Sequence, residues 1–200
     1  MMSSRFVLCE YEKLRETYPW FNEVMASLEA ALIAKARKDW SSLAFSPPGI
    51  WPTDEEFGKC TIMPQLFNNM SGARLITWNQ NLTALGHQTL MTGAATGGRI
   101  AEDYKVGICG LMFLDKALRV TEIKMQISDS KIPRINIEEM MGYNKPAVVF
   151  ENYWILDEEK GFDLYGYVEA VGPQRIKPIG LQVNRVPNKL QVSNTGAALQ

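Results

Sequence analysis

Between Trp20 and Lys38 the apolar residues Phe21, Val24, Met25, Leu28 and Leu32 recur at i, i+3, i+4, i+7 and i+11, one stripe of a helical period. Pro19 sits just inside the start, where a missing N–H costs nothing. Lys35, Arg37 and Lys38 crowd the last turn, at the negative end of the helix dipole. A shorter helix over roughly Ser4 to Thr17 is expected before it, so residues 1–45 read as a helical arm. Ser46-Pro47-Pro48-Gly49, Trp51-Pro52 and Met63-Pro64 then keep residues 46–64 extended, as a Pro-rich linker.

Beyond the linker the period falls toward two. Arg74 to Trp78, Lys105 to Leu114 and Leu118 to Ile127 are strand candidates, with Asp115-Lys116 as a tight turn between the last two. Asn81 to Met91 fits a strand or a short helix. Ala147 to Leu156 and Phe162 to Val171 flank Asp157-Glu158-Glu159-Lys160-Gly161, and the pattern predicts an antiparallel hairpin with Trp154 partly or wholly buried. Pro178 within Arg175 to Val183 predicts an edge strand. About eight regularly spaced strands favour a sandwich over a helix-alternating fold. The expected fold is α+β, mainly β: an antiparallel β-sandwich over residues 65–190, with a jelly roll as one form it can take. The helical arm precedes it and an irregular tail, residues 191–200, follows.

Composition narrows the function. The chain has 200 residues, 46% hydrophobic and 22% charged, which excludes disorder as the main state. A formal net charge of −1 lacks the basic excess of a dedicated nucleic-acid binder. The opening residues lack a signal-peptide core, and the longest apolar run, Val106 to Leu114, is too short to span a bilayer. Synthesis in the cytoplasm, without a membrane span, is the expectation. Gly93-Ala94-Ala95-Thr96-Gly97-Gly98 lacks the Gly-Lys-Ser/Thr ending of a phosphate loop and reads as a plain loop.

Candidate chemistry is sparse. Cys9, Cys60 and Cys109 form neither a disulfide framework nor a zinc spacing, and His87 is the sole histidine. Cys109, in an apolar strand, reads as an inert buried thiol. No catalytic, cofactor-binding or metal-binding residue is assigned, and no cofactor is expected. Asp54-Glu55-Glu56, Glu138-Glu139 and Asp157-Glu158-Glu159 read as structural clusters, the last as a solvated hairpin tip. If the predicted hairpin forms in register, Glu151 and Tyr153 meet Asp163, Tyr165, Tyr167 and Glu169. Carboxylates among aromatic rings can bind sugars, or hydrolyse glycosides when roughly 5 Å or 6.5–9.5 Å apart. Arg175, Lys177, Arg185 and Lys189 stand in a C-terminal stretch without acids, available to phosphates.

An amphipathic arm, an extended linker, a sandwich and an irregular tail resemble, in layout, the single-sandwich subunits of viral shells. That layout implies a self-assembling structural protein, such as a coat or filament subunit, in a virion or another intracellular assembly. Its partners would be copies of itself, with non-specific nucleic-acid contact as an addition. Phe21, Val24, Met25, Leu28 and Leu32 are then the assembly-contact candidates, since their stripe needs a cover. A carbohydrate-binding or carbohydrate-active sandwich and a protein-binding accessory module are the alternatives.

Overall fold

The computed structural model describes residues 6–9, 16–40, 57–143 and 145–185. The elements are β1 (Phe6–Cys9), α1 (Pro19–Trp40), β2 (Phe57–Thr61), a 3-10 turn (Pro64–Leu66), β3 (Phe67–Asn69), β4 (Asn79–Leu82) and β5 (Gly86–Gly93). There follow β6 (Tyr104–Phe113), β7 (Val120–Ile127), β8 (Ser130–Lys131), β9 (Ile135–Asn136), α2 (Glu139–Tyr143), β10 (Ala147–Leu156), β11 (Phe162–Val168) and β12 (Gly172–Arg185).

Two antiparallel sheets result. The first is ordered β1-β10-β6-β12-β2, with β4 also on β12; the second is ordered β3-β5-β11-β7-β8, with β9 also on β7. Take β2, β5, β6, β7, β8, β10, β11 and β12 as strands one to eight of a frame. The first pairs with the eighth, the second with the seventh, the third with the sixth and the fourth with the fifth. Nested pairing of this kind is a long hairpin rolled over on itself, the jelly roll. The mainly-β sandwich expected from strand spacing is present, and its winding is of the jelly-roll type.

The same winding corrects several local expectations. β10 and β11 are not hairpin partners: β10 pairs β1 and β6, whereas β11 pairs β5 and β7 in the opposite sheet. Residues Phe6–Cys9 are not helical but form β1 against β10. The segment taken as a linker contributes β2 to the first sheet. Arg74 to Trp78 forms no strand, only a bridge from Arg74 to Asn68. Asn81 to Met91 divides between β4 and β5.

Pro178 is not at a sheet edge, because β12 lies between β6 on one side and β2 and β4 on the other. β4 pairs Gly172 to Arg175 and β2 pairs Leu181 to Arg185, which leaves a gap opposite Pro178. The Ile176 N–H points to that side, donating to the Trp78 carbonyl at 3.2 Å. Two residues on, the nitrogen of Pro178 points the same way, where no ladder bond is forfeited.

The first sheet is buried on both faces. Val106, Ile108, Leu111 and Phe113 of β6 and Val148 and Phe150 of β10 face the core between the sheets. Cys109, Ala147, Val149, Ile179 and Val183 face outward, where α1 covers them with Phe21, Leu28, Leu32, Ala36 and Trp40. Gly107 lets the helix in: a Cβ there would collide with Leu28. Truncating so fully buried a leucine to alanine costs about 3 kcal/mol. Trp154 is half-buried, edge-on to Phe150 with centroids 4.7 Å apart.

Candidate functional site

The frame has two ends. Strand register brings the loops at 83–85, 114–119, 137–146 and 169–171 to one of them, since Gly172 lies opposite Leu82, Ile176 opposite Phe113, Ala147 opposite Met112 and Val168 opposite Gly86. Each of these four loops carries one exposed large apolar side chain: Leu85 (61% exposed), Leu114 (46%), Met141 (50%) and Val171 (52%). Polar contacts fix the loop backbones beneath them. Arg119 donates to the Pro173 and Val171 carbonyls, both at 3.1 Å, and Gln174 accepts from the Arg119 N–H at 2.8 Å. Asp115 accepts from the Arg175 backbone N–H and from Gln174 Nε2.

The loops at 94–103, 128–129 and 157–161 meet at the other end. Among the described residues no exposed large apolar side chain lies on them. Instead Lys105, 1% exposed, reaches Asp39 at 2.8 Å, Asp157 at 3.0 Å and Glu158 at 3.5 Å, with its Nζ 5.1 Å from the Trp40 ring centroid. Lys35 adds contacts to Asp157 at 2.9 Å and Asp39 at 3.3 Å, and Trp40 Nε1 donates to Glu158 Oε1 at 2.8 Å. The hydrogen bond to Asp157 holds the Lys35 ammonium above its ordinary range. The hydrogen bond from Lys105 holds the Asp39 carboxyl below the usual carboxylate range. Asp157 and Glu158 are therefore not a solvated hairpin tip; they fasten α1 to β6 and to the crossing between sheets.

α1 covers the outer face of the first sheet; among the described residues β5, β11 and β7 of the second sheet have no such cover. Register places His87, Tyr167 and Glu122 in one row across β5, β11 and β7, and Thr89, Tyr165 and Lys124 in the next. A depression of about 220 Å³ lies there, lined by His87, Gln88, Thr89, Glu122, Lys124 and Tyr165, together with Arg134 and Gly166. Arg134 Nη1 donates to Glu122 Oε1 at 2.8 Å and lies 3.2 Å from His87 Nε2. That contact fits an imidazole accepting at Nε2, with Nδ1 3.8 Å from Glu122. The Lys124 ammonium sits 5.5 Å from the Tyr165 ring centroid, and His87 stands edge-on to Tyr167 at 5.0 Å. Burial pushes the Asp163 carboxyl up, against a hydrogen bond from Tyr165 that lowers it.

The residues singled out from sequence scatter across this frame. The predicted stripe on α1 is consumed within the chain: Phe21, Leu28 and Leu32 are fully buried and Val24 and Met25 partly so, all against the chain's own first sheet. That removes Phe21, Leu28 and Leu32 as contacts to a neighbour, while Val24 still lines a surface groove beside Glu23 and Ser27. Glu151 and Tyr153 do not meet the β11 residues. They sit where β10 bulges away from β6, in a groove with Trp20, Glu23 and Ser27 on the α1 side. Asp163, Tyr165 and Tyr167 share the open face of the other sheet, and Glu169, past the end of β11, accepts from Thr121 Oγ1 at 3.4 Å.

Arg175 is exposed but engaged by Asp115, at 3.9 Å between side chains, and Lys177 is half-buried. Arg185 closes the backbone of β12, while its side chain and all of Lys189 lie outside the described residues. Burial pushes the Cys109 thiol up to about 12, and its sulfur contacts Met25 Sδ at 3.4 Å. The Cys9 and Cys60 side chains and the Asp54-Glu55-Glu56 cluster lie outside the described residues. Among the described residues no three His, Cys, Asp or Glu side chains are placed to hold a metal ion, and no helix is long and apolar enough to cross a membrane.

No family model, curated protein or solved structure matches this chain.

Proposed function

We propose that this chain is a self-assembling structural subunit, of the coat or filament kind, whose copies meet through the apolar end of the jelly roll. The observation that carries this reading is the placement of Leu85, Leu114, Met141 and Val171, one on each of the four loops gathered at that end. Single exposed apolar residues are ordinary; one on each of four loops at the same end of the frame is the material of a contact surface. Their combined exposure is on the order of a few hundred Å², less than the ~800 Å² per partner of a stable pairwise interface. Such a contact gains its stability by repetition, each copy touching more than one neighbour.

Lys116 and the pair Glu138 and Glu139 lie on loops of the same end, so copies packed there bring opposite charges together. A virion or another intracellular lattice is the setting this role implies. Enclosed nucleic acid finds less support, because Arg175 is already held by Asp115.

Light scattering across a concentration series tests the reading. The expected outcome is a mass rising well above the 22.6 kDa of one chain, with ordered particles by negative-stain microscopy. The double variant Leu114→Glu, Met141→Glu is expected to remain at one chain's mass with an unchanged circular dichroism spectrum. A wild-type protein that stays at one chain's mass at every concentration and salt overturns the proposal.

A further inference from the structure

We infer that the depression on the open face of the second sheet is a binding site for a single acidic sugar, a pyranose bearing a carboxylate. Its volume of about 220 Å³ is below the range of drug-sized pockets and suits one ring. Two cations border it. Lys124 lies over the Tyr165 ring, and among the described residues no carboxylate pairs with it. Arg134 is half exposed, and both of its contacts, to Glu122 and to His87, use Nη1. Among the described residues Nε and Nη2 of that guanidinium make no contact, which leaves the fork that binds a carboxylate through two parallel hydrogen bonds.

Glu122 fixes the arginine from behind, so the guanidinium is oriented before a ligand arrives. Thr89 supplies a hydroxyl for a ring hydroxyl, and Tyr165 supplies an apolar flank. This inference is independent of the assembly reading, since the depression and the apolar end use different residues.

Amide chemical shifts of ¹⁵N-labelled full-length protein test it, with glucuronic acid and N-acetylneuraminic acid as probes, glucose as the neutral control and sodium phosphate as the free oxyanion. The expected result is saturable shifts at Thr89, Lys124 and Tyr165 with at least one acidic sugar at millimolar concentration, and none with glucose. Lys124→Gln and Arg134→Gln should each weaken binding about 10-fold, the loss of one charge-assisted contact. Their spectra elsewhere should overlay the wild type, which separates loss of binding from loss of fold. Absence of shifts with both acidic sugars overturns the inference. So does glucose binding equally well, or phosphate giving the same shifts at the same concentration, which would make the site a bare oxyanion cradle.

Discussion

At one end of the sandwich Lys105 is buried among Asp39, Asp157 and Glu158; at the other, Leu85, Leu114, Met141 and Val171 stand 46–61% exposed. Both ends are made of loops between the same strands, and each departs from the usual placement of its residue type. A buried ammonium is costly unless its partners are close, and here a second cation, Lys35, shares two of the three carboxylates. Exposed leucines cost the folded chain little, because they are equally exposed when it is unfolded. The contrast assigns the two ends different tasks. The charged end holds helix and sheets together within one chain. The apolar end, among the described residues, contributes little to that chain's stability, which suits the contact between copies proposed above.

The largest expected effect lies at the charged end. Lys105→Met keeps the aliphatic stem but removes the ammonium shared by Asp39, Asp157 and Glu158, while Lys35 still reaches the first two and Trp40 Nε1 the third. The loss is about 3 kcal/mol, in the lower part of the range for breaking a buried pair because the carboxylates are partly open to water. Denaturant melts of wild type and variant check it; equal midpoints would mean that this end does not fasten the fold.

The pH dependence follows with a smaller effect. Asp39 is held below its unfolded value, so its contribution is present above about pH 4 and is lost as pH falls through the lower folded value. Lys35 is held above its unfolded value, so its contribution is full below about pH 10 and is lost as pH rises through the folded one. An Asp39→Asn variant should therefore be less stable than wild type at pH 7, by about 1 kcal/mol, and the gap should narrow progressively as pH falls below about 4. A gap that persists in acid would point to packing rather than charge.

Much of the architecture was legible in the chain. The stripe on α1 and the extents of β6, β7 and β10 follow from apolar period alone. Pairing was not legible. Period-two alternation around Asp157 to Gly161 defines two strands, but in a jelly roll the neighbour of β10 is β6, from far earlier in the chain, and nothing local encodes that choice. Val106 to Leu114 is apolar at nearly every position, and a strand apolar on both faces needs a cover on both. That run already calls for α1 on its outer side, which would have kept the stripe within the chain. Lys105, at the start of the same run, gave no warning of its role, because its carboxylates lie 66 and 52 residues away in sequence.

Asp163 gives an intermediate test on the open sheet face, at neither end. Burial raises its carboxyl, so its ionised form opposes folding at neutral pH, and the opposition fades as pH falls from the raised folded value through the unfolded one near about 4. Asp163→Asn keeps an acceptor for the Tyr165 hydroxyl without the charge. The variant should gain about 0.5 kcal/mol at pH 7, after allowance for solvent screening, and the gain should disappear at pH 3. Thermal melts at the two pH values check both halves.

The smallest effect is expected at the apolar end. Leu85 and Leu82 stand three residues apart, the first 61% exposed on the loop and the second 1% exposed in β4. If the apolar end is surplus to folding, Leu85→Ser changes stability by no more than about 0.5 kcal/mol, because little apolar surface leaves water when the chain folds there. Leu82→Ala, which empties a site in the core between the sheets, should cost about 3 kcal/mol. Val171→Ser should behave like Leu85→Ser. The measurement is denaturant unfolding in dilute protein, where copies do not meet; repeated at high concentration, both loop variants should lose any stability the wild type gains from association. A loop variant as damaging as Leu82→Ala in dilute solution would place these tips within the fold's own core and erase the distinction between the two ends.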